Sequence, residues 1–267
     1  MKKLFSLFLV VVTNLAFLSS CNKDDKAQTK TFVLVHGAFQ GAYAWDYLKP
    51  KLEANGQKVV VVELPAHGKD STSPATLTMD SYRDKVVAAI KAIPGKVILV
   101  AHSMGGMVAT ATAEKIPERI EKLVYIGAFV PANGQSLLEL SLQDSISLLG
   151  PSLVPSPDGA TVSLPTDKIV PIFCQDGSNE VKTLLINNRR VEPTVPLTNK
   201  VTVTAANFGK TDKYYIHTLQ DMAVGINLQK RMVTAAGITT TFTLNSSHCP
   251  FLSMPDSVSS ILMDIIR

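Results

Sequence analysis

The sequence predicts an α/β protein with a mostly parallel central sheet, flanked by helices and interrupted by an inserted cap. Six short apolar runs alternate with helix-like stretches, which is the pattern of a parallel sheet. The runs are rich in Val and Ile without polar alternation, as expected for strands that are covered on both faces. The chain has 267 residues, of which 46% are hydrophobic, enough to bury a full core as one domain.

The strand candidates are residues 31–35, 58–63, 96–101, 122–127, 213–219 and 239–244. Between Pro131 and about Phe208 the pattern loosens into prolines, serines and broken apolar stretches. We therefore assign residues 31–130 and 209–267 to the core and residues 131–208 to a cap that would shape a substrate pocket. Apolar cap residues that either line this pocket or pack the cap onto the core are Leu138, Leu142, Phe173, Leu184 and Leu185.

The first 30 residues have the features of a targeting segment. Two lysines precede a mostly apolar run, which is typical of a secretory signal peptide and short for a transmembrane span. Residues 18–21 (LSSC) resemble a bacterial lipobox, so we expect a signal peptide over 1–20 and lipidation of Cys21. Residues 21–30 would then tether the protein to an extracytoplasmic membrane face, because more than one acyl chain gives stable anchoring. The alternative is a signal sequence with a chance cysteine.

A loop of small residues follows the first strand candidate. Its sequence is HGAFQGA (36–42), and such a loop lets backbone amides point into a site. An acyl-transfer enzyme needs two amides aimed at the oxygen that becomes negative in the tetrahedral intermediate. We assign these two oxyanion-hole amides to Ala38 and Met104. In the absence of other motifs, the loop would be interpreted as an ordinary glycine-rich turn.

The third strand candidate ends in AHSMGG (101–106), before an apolar helical run. A serine on a tight strand-to-helix turn with small neighbours is typical of a nucleophile elbow, which presents the hydroxyl to a base. The usual form is G-x-S-x-G, and Ala101 replaces the first glycine here. Ser103 is therefore the candidate nucleophile. The alternative is a βα turn in which Ser103 only caps the helix.

Five histidines compete for the role of general base, and their positions separate them. His36 and His102 lie beside the oxyanion loop and the serine, where structural roles are expected, whereas His67 lies in a turn and His217 within an apolar strand. His248 follows the last strand candidate and a polar turn. Loops at such strand ends carry catalytic groups in open α/β sheets. We assign the base to His248.

The acid is expected between Ser103 and His248, because hydrolases with this elbow have the chain order Ser, Asp or Glu, His. Asp221 follows the strand candidate 213–219, whereas Asp212 precedes it. Only Asp221 lies at the carboxyl edge of a parallel sheet, where the other candidate catalytic residues are expected. Asp221 would orient the imidazole and stabilise the imidazolium. Its alternative role is a helix N-terminal aspartate favoured by the macrodipole.

At these residues the chain resembles the α/β-hydrolase esterases related to plant methylesterases, salicylic-acid-binding esterases and hydroxynitrile lyases, and their bacterial members in particular. The similar stretches are VLVHGA (33–38), GAYAW (41–45), LPAHG (64–68), AHSMGG (101–106), YIHTLQD (215–221) and SHCPF (247–251). They are spread over nearly all of residues 31–267. The resemblance implies the α/β-hydrolase fold, a catalytic triad of Ser103, Asp221 and His248, and oxyanion amides from Ala38 and Met104.

Two positions separate this chain from the lyases of that family. The lyases have a threonine directly after the histidine of the oxyanion loop and a lysine directly after the catalytic histidine. This chain has Gly37 and Cys249 there. Because no cation is then available to stabilise a departing cyanide, both differences favour ester hydrolysis.

Charge and cysteine content narrow the choice of partners. Without residues 1–20 the chain has 24 basic and 22 acidic residues, so no nucleic-acid partner is indicated. No dinucleotide or phosphate-loop glycine pattern is present, and acyl transfer by a triad needs no metal or organic cofactor. Cys174 and Cys249 remain beside Cys21, and the sequence leaves open whether they pair or stay free.

The sequence therefore predicts a lipid-anchored serine hydrolase that cleaves a small carboxylic ester through an acyl-enzyme. One alternative is a lyase or haloperoxidase-like activity on the same fold. The other is a non-catalytic protein that uses the pocket as a receptor, against which the complete triad argues.

Overall fold

The computed structural model describes residues 29–267, so the predicted signal peptide, Cys21 and most of the tether lie outside the described residues. The strands are β1 (Thr31–Val35), β2 (Lys58–Val62), β3 (Val97–His102), β4 (Ile120–Ile126), β5 (Val154–Pro155), β6 (Thr161–Ser163), β7 (Glu192–Pro193), β8 (Lys213–Thr218) and β9 (Thr240–Leu244). The α-helices are α1 (Lys49–Ala54), α2 (Met79–Lys91), α3 (Gly105–Lys115), α4 (Leu137–Ser141), α5 (Leu149–Ser152), α6 (Thr166–Phe173), α7 (Asn179–Asn188), α8 (Thr194–Thr198), α9 (Ile226–Ala235), α10 (Pro250–Ser253) and α11 (Pro255–Ile265). None of these helices combines the length and apolar character that a membrane crossing needs.

The central sheet has six strands in the order β2-β1-β3-β4-β8-β9, and all neighbours are parallel. The predicted fold class is confirmed, and each predicted strand end lies within two residues of the observed one. In β3 every residue is buried, because helices cover both faces of a central parallel strand. Around the sheet, α2 packs against α3 and α1 packs against α11.

The parallel arrangement positions the candidate site. The loops that leave β1, β3, β8 and β9 all start at the carboxyl ends of their strands and therefore meet at one edge of the sheet. These loops carry Ala38, Ser103, Asp221 and His248, respectively. Ligands bind at this edge in open α/β sheets.

The segment between β4 and β8 contains helices α4 to α8 and a small antiparallel sheet, β5-β6-β7. Phe173 and Leu185 are buried there, as expected for residues that face the core. Leu138 and Leu142 are 44% and 78% exposed, so they do not pack the cap onto the core, and neither lines the pocket next to the oxyanion loop. Leu138 lies in α4, which is only five residues long, and Leu142 directly follows that helix.

Candidate active site

The backbone around Ser103 forms a tight, strained turn between β3 and α3. Ser103 has a φ of +53°, a left-handed conformation that a non-glycine residue adopts only when its surroundings enforce it. Its carbonyl oxygen accepts the N–H groups of Gly106 at 3.0 Å and Phe129 at 3.1 Å. This geometry is typical of a nucleophile elbow.

Close packing explains the small residues on both sides of the turn. A Cβ added to Gly105 would lie 2.6 Å from the carbonyl oxygen of His36, and one added to Gly106 would lie 2.2 Å from that of Phe129. A Cβ at Gly37 would approach the Ser103 Cβ to 2.7 Å. A larger residue at position 37 or 105 would therefore push the oxyanion loop away from the serine turn, and one at position 106 would displace the loop after β4.

Asp221 and His248 form a buried pair. His248 donates through Nδ1–H to Asp221 Oδ2 at 2.7 Å, and the side chains of both residues are inaccessible to solvent. Thr218 Oγ1 donates to the same carboxylate oxygen at 2.8 Å, while the Ala223 and Val224 amides donate to Oδ1, each at 2.8 Å. The carboxylate is thus fixed, and it holds the proton of the neutral imidazole on Nδ1, leaving Nε2 as an acceptor.

The other aspartate lies elsewhere. Asp212 is exposed at the amino end of β8, where its carbonyl oxygen accepts the Leu123 N–H. The structure therefore brings Asp221, and not Asp212, to His248, as the chain order predicts.

His248 Nε2 is buried and has no hydrogen-bond partner among residues 29–267, so Ser103 and His248 are not directly hydrogen-bonded. Their loops nevertheless touch, because His102 Nε2–H donates to the His248 carbonyl oxygen at 2.9 Å and the two rings lie 4.3 Å apart between centroids. Contacts between a nucleophile and its base often shorten only when substrate binds. The unpaired Nε2 is the acceptor that a general base needs.

The two assigned oxyanion amides are free to donate. Ala38 is 9% exposed and Met104 is fully buried, and neither backbone N–H donates to another residue in the described part of the chain. The next amide, that of Phe39, is used: it donates to Glu192 Oε2 at 2.8 Å. Buried amides without partners are uncommon, and both of these remain available to an external acceptor.

Three other histidines have structural contacts. His36 donates through Nδ1–H to the Gly37 carbonyl oxygen at 2.8 Å and accepts the Leu64 N–H at 3.1 Å, and burial lowers its pKa to about 3. Burial and the neighbouring His248 hold the pKa of His102 well below its usual value. In β8, His217 lies 3.3 Å from an oxygen of Gln229.

Sequence reasoning missed two carboxylates that reach the catalytic loops from the cap. Glu192 in β7 accepts a hydrogen bond from the His67 ring, 125 residues away in sequence, at 2.8 Å. Asp176 accepts the Ser247 N–H at 3.0 Å and the Ser253 hydroxyl at 3.1 Å, next to His248. No local pattern marks either residue, because each contact joins segments that are distant in the chain.

Both cysteines in the described residues are buried free thiols. Gln40 Nε2 donates to the Cys249 sulfur at 3.2 Å. Burial raises the pKa of Cys249 well above its usual value and that of Cys174 to about 12. Both thiols are therefore protonated at neutral pH, which disfavours either as a nucleophile.

A pocket of about 570 Å³ lies between the oxyanion loop and the cap. The residues that line it are Phe39, Gln40, Tyr43, Val154, Ser163, Leu164, Pro165, Thr166, Ile169, Phe173, Leu185, Arg189, Arg190 and Val191. Ser103 does not line it, but Phe39 follows Ala38 directly and the Phe173 ring lies 5.6 Å from the His248 ring. The pocket therefore adjoins the candidate site.

The two arginines of the pocket contact backbone carbonyl groups. Arg189 donates to Ile186 at 2.6 Å, and Arg190 donates to Gly68 at 2.5 Å. Neither forms an ion pair with a carboxylate of residues 29–267. Their side chains hold loops at the rim of the pocket.

Sequence comparison supports the geometry. A model of a family described as the alpha/beta hydrolase family matches residues 32–261. A chloroplastic protein of Arabidopsis thaliana with the provisional name methylesterase 14 is 31% identical over 253 residues, which cover 89% of this chain and 72% of that protein.

Solved structures show the same likeness. The crystal structure of polyneuridine aldehyde esterase has a TM-score of 0.78 and 27% identity, covering 90% of this chain and 100% of that one. An extracellular alpha/beta-hydrolase from a Paenibacillus species, described as sharing structural and functional homology with tobacco salicylic acid binding protein 2, has a TM-score of 0.76 and 25% identity, covering 88% and 98%. The match therefore extends over the core and the cap segment together.

Proposed function

The chain belongs to the alpha/beta hydrolase family and is an esterase-type member of it. We propose that it cleaves a small carboxylic ester through a serine-histidine-aspartate triad. The observation that carries the proposal is the buried Asp221–His248 hydrogen bond of 2.7 Å. This hydrogen bond uses Nδ1 of His248, and the other ring nitrogen, Nε2, is unpaired. His248 lies beside the strained turn of Ser103. A receptor would not need a base prepared in this way.

In the proposed acylation step, His248 Nε2 takes the proton of the Ser103 hydroxyl as its oxygen attacks the ester carbonyl. The carbonyl oxygen becomes negative and accepts hydrogen bonds from the Ala38 and Met104 amides. Asp221 stabilises the imidazolium that forms. The intermediate then collapses: the bond to the alcohol oxygen breaks, and His248 returns the proton to the departing alkoxide.

Deacylation repeats these roles with water as the nucleophile. His248 accepts a proton from water, the hydroxide adds to the acyl carbon, and the second intermediate releases the acid. The proton on His248 then returns to the Ser103 oxygen. Every proton transfer uses one imidazole nitrogen, so the sequence of steps needs no cofactor.

The ester itself is proposed from the pocket. Apolar side chains such as Phe39, Ile169, Phe173 and Leu185 line the space next to the oxyanion loop, which suits an apolar acyl or alcohol group. Named relatives of the chain include plant methylesterases. We therefore propose a methyl or other short ester of an apolar acid as the substrate class.

A hydrolysis panel tests this proposal. We expect purified protein to cleave short-chain aryl esters and methyl esters of apolar acids with kcat/KM at least tenfold above acetylated sugars, because each methylene that enters an apolar pocket contributes about 1 kcal/mol or more. Release of acid is measured by pH-stat. The lyase alternative predicts cleavage of cyanohydrins instead, and a receptor predicts binding without acid release; either result contradicts the proposal.

We further propose that the protein is a lipoprotein, anchored through Cys21 to the periplasmic membrane face or the cell surface. Support comes from the charged start, the apolar run and the LSSC stretch that ends at Cys21. An extracytoplasmic ester hydrolase would meet its substrate outside the cytoplasm.

Cys21→Ser should lose nearly all fatty-acid incorporation in a bacterial host, because serine has no thiol to receive the diacylglycerol. Incorporation is measured by metabolic labelling with a fatty acid, followed by membrane fractionation. Cys174→Ser, which changes a buried thiol in the cap, is the matched control and should keep the label. Equal labelling of Cys21→Ser and the wild type would refute the anchor.

A further inference from the structure

One buried carboxylate joins the cap to the loop that carries Ala38. Glu192 lies in the two-residue strand β7, and its side chain is fully buried. Its Oε2 accepts the Phe39 N–H at 2.8 Å and a hydrogen bond from His67 Nε2, also at 2.8 Å. We propose that Glu192 is a positioning residue that holds the Ala38 amide in the geometry needed to stabilise the oxyanion. The proposal rests on the proposed function, which assigns the Ala38 amide to the reacting oxygen.

The ring of His67 pairs with the Glu192 carboxylate. Both ring nitrogens of His67 face acceptors, since Nδ1 is 2.9 Å from the Pro65 carbonyl oxygen and Nε2 faces the Glu192 carboxylate. A ring that donates from both nitrogens carries two protons, so this geometry favours the imidazolium form. Burial opposes this charge, but the charge and hydrogen bond of Glu192, together with the Pro65 carbonyl group and Glu63, raise the pKa of His67. A carboxylate is a stronger acceptor for an amide than a neutral group is.

The backbone at Phe39 explains why the loop needs an external constraint. Phe39 has a φ of +64°, a conformation that bulky residues adopt only when neighbouring structure enforces it. Glu192 holds its N–H, and the backbone N–H of Arg190 donates to its carbonyl oxygen at 3.1 Å. Both contacts come from the cap. The first fixes the Ala38–Phe39 peptide and the second fixes the Phe39–Gln40 peptide. Together they restrict rotation of the adjoining Gly37–Ala38 peptide, which carries the Ala38 N–H.

This arrangement predicts a specific kinetic defect. An oxyanion donor acts on charge that develops only in the transition state, so misplacing it lowers kcat more than it changes KM. Complete loss of one donor typically costs roughly 100-fold to 1,000-fold in kcat. Loosening the loop that holds the Ala38 donor should lower kcat by about 30-fold or more, because the donor is displaced but not removed.

The test compares three substitutions of Glu192 in the full chain, with p-nitrophenyl acetate as the substrate. Glu192→Ala removes the acceptor, Glu192→Asp keeps the charge but withdraws it by one methylene, and Glu192→Gln keeps an oxygen at the same reach without the charge. We expect kcat to fall by about 30-fold or more in Glu192→Ala, with KM within about threefold of the wild type. Glu192→Gln should retain more kcat than Glu192→Asp.

Glu114 provides the matched control. Its carboxylate also ties distant segments together, because it accepts the backbone amides of Thr204 at 2.8 Å and Phe208 at 3.1 Å, but it does so at the carboxyl end of α3, away from the catalytic edge. Glu114→Ala should lower the melting temperature and leave the kcat of the folded protein unchanged.

Three results would overturn the proposal. These are wild-type kcat in folded Glu192→Ala, an equal loss of kcat in Glu114→Ala, and a Glu192→Asp variant more active than Glu192→Gln, which would limit Glu192 to charge pairing. If Glu192→Ala does not fold, the proposal is still tested by which of Glu192→Gln and Glu192→Asp has the higher kcat. Wild-type protein that neither hydrolyses the ester nor reacts with a fluorophosphonate would refute the proposed function itself, and this proposal with it.

Discussion

Ser103→Ala should lower the kcat for ester hydrolysis by four orders of magnitude or more while the protein remains folded. The substitution removes the only atom proposed to bond covalently to the acyl group, and loss of a triad serine typically costs on the order of 10⁶ in kcat. Folding should be unaffected, because alanine keeps the Cβ and because the turn is held by the Ser103 carbonyl oxygen, not by its hydroxyl. Stopped-flow and steady-state assays on purified protein measure the effect.

Ser259 is a matched control for this substitution. It is 4% exposed, as Ser103 is, but it lies in α11 and its hydroxyl has no hydrogen-bond partner among residues 29–267. Ser259→Ala should keep wild-type turnover. Residual activity of more than about one per cent in Ser103→Ala would place the nucleophile on another residue.

Asp221→Asn should lower kcat by roughly 10⁴-fold with little change in the melting temperature. An asparagine can still accept the Ala223 and Val224 amides, so the loop after β8 should persist. Its amide N–H group cannot accept the proton of His248 Nδ1, so the imidazole is driven to the other tautomer. Nε2 then carries a proton and no longer serves as the base for Ser103.

Asp212→Asn tests the same argument at the other end of the strand. Asp212 is separated from the carboxyl end of β8 by the length of the strand, roughly 20 Å at about 3.3 Å per residue, far beyond hydrogen-bond reach of His248. This variant should turn over at the wild-type rate. If Asp212→Asn were inactive and Asp221→Asn active, both the acid assignment and the direction of β8 would be wrong.

Local patterns allowed the sheet and the positions of the candidate triad to be predicted from sequence. Strands such as β3 are uninterrupted apolar runs, and the turn after β3 needs small residues that the sequence displays. Asp221 and His248 were found because each follows a strand, and carboxyl ends of parallel strands share one edge. The structure then places their side chains 2.7 Å apart, a distance that the sequence alone does not give.

The structure of the cap was harder to predict, because it depends on contacts between residues that are distant in sequence. Its strands are only two or three residues long, too short to show the alternation of polar and apolar residues that identifies a strand. Glu192 contacts Phe39 across 153 residues of sequence, and Asp176 contacts Ser247 across 71. Such pairs form because a buried carboxylate must find donors, and the sequence does not show which donors fold against it.

Identifying the residue that reacts with a serine-directed fluorophosphonate shows whether Ser103 is an activated nucleophile. Wild-type protein is labelled, digested and analysed by tandem mass spectrometry, alongside Ser103→Ala and protein unfolded before labelling. We expect one adduct per chain, located on Ser103, and none in the variant or in the unfolded protein. An adduct on any other residue, or a folded wild-type protein that does not react, would contradict it.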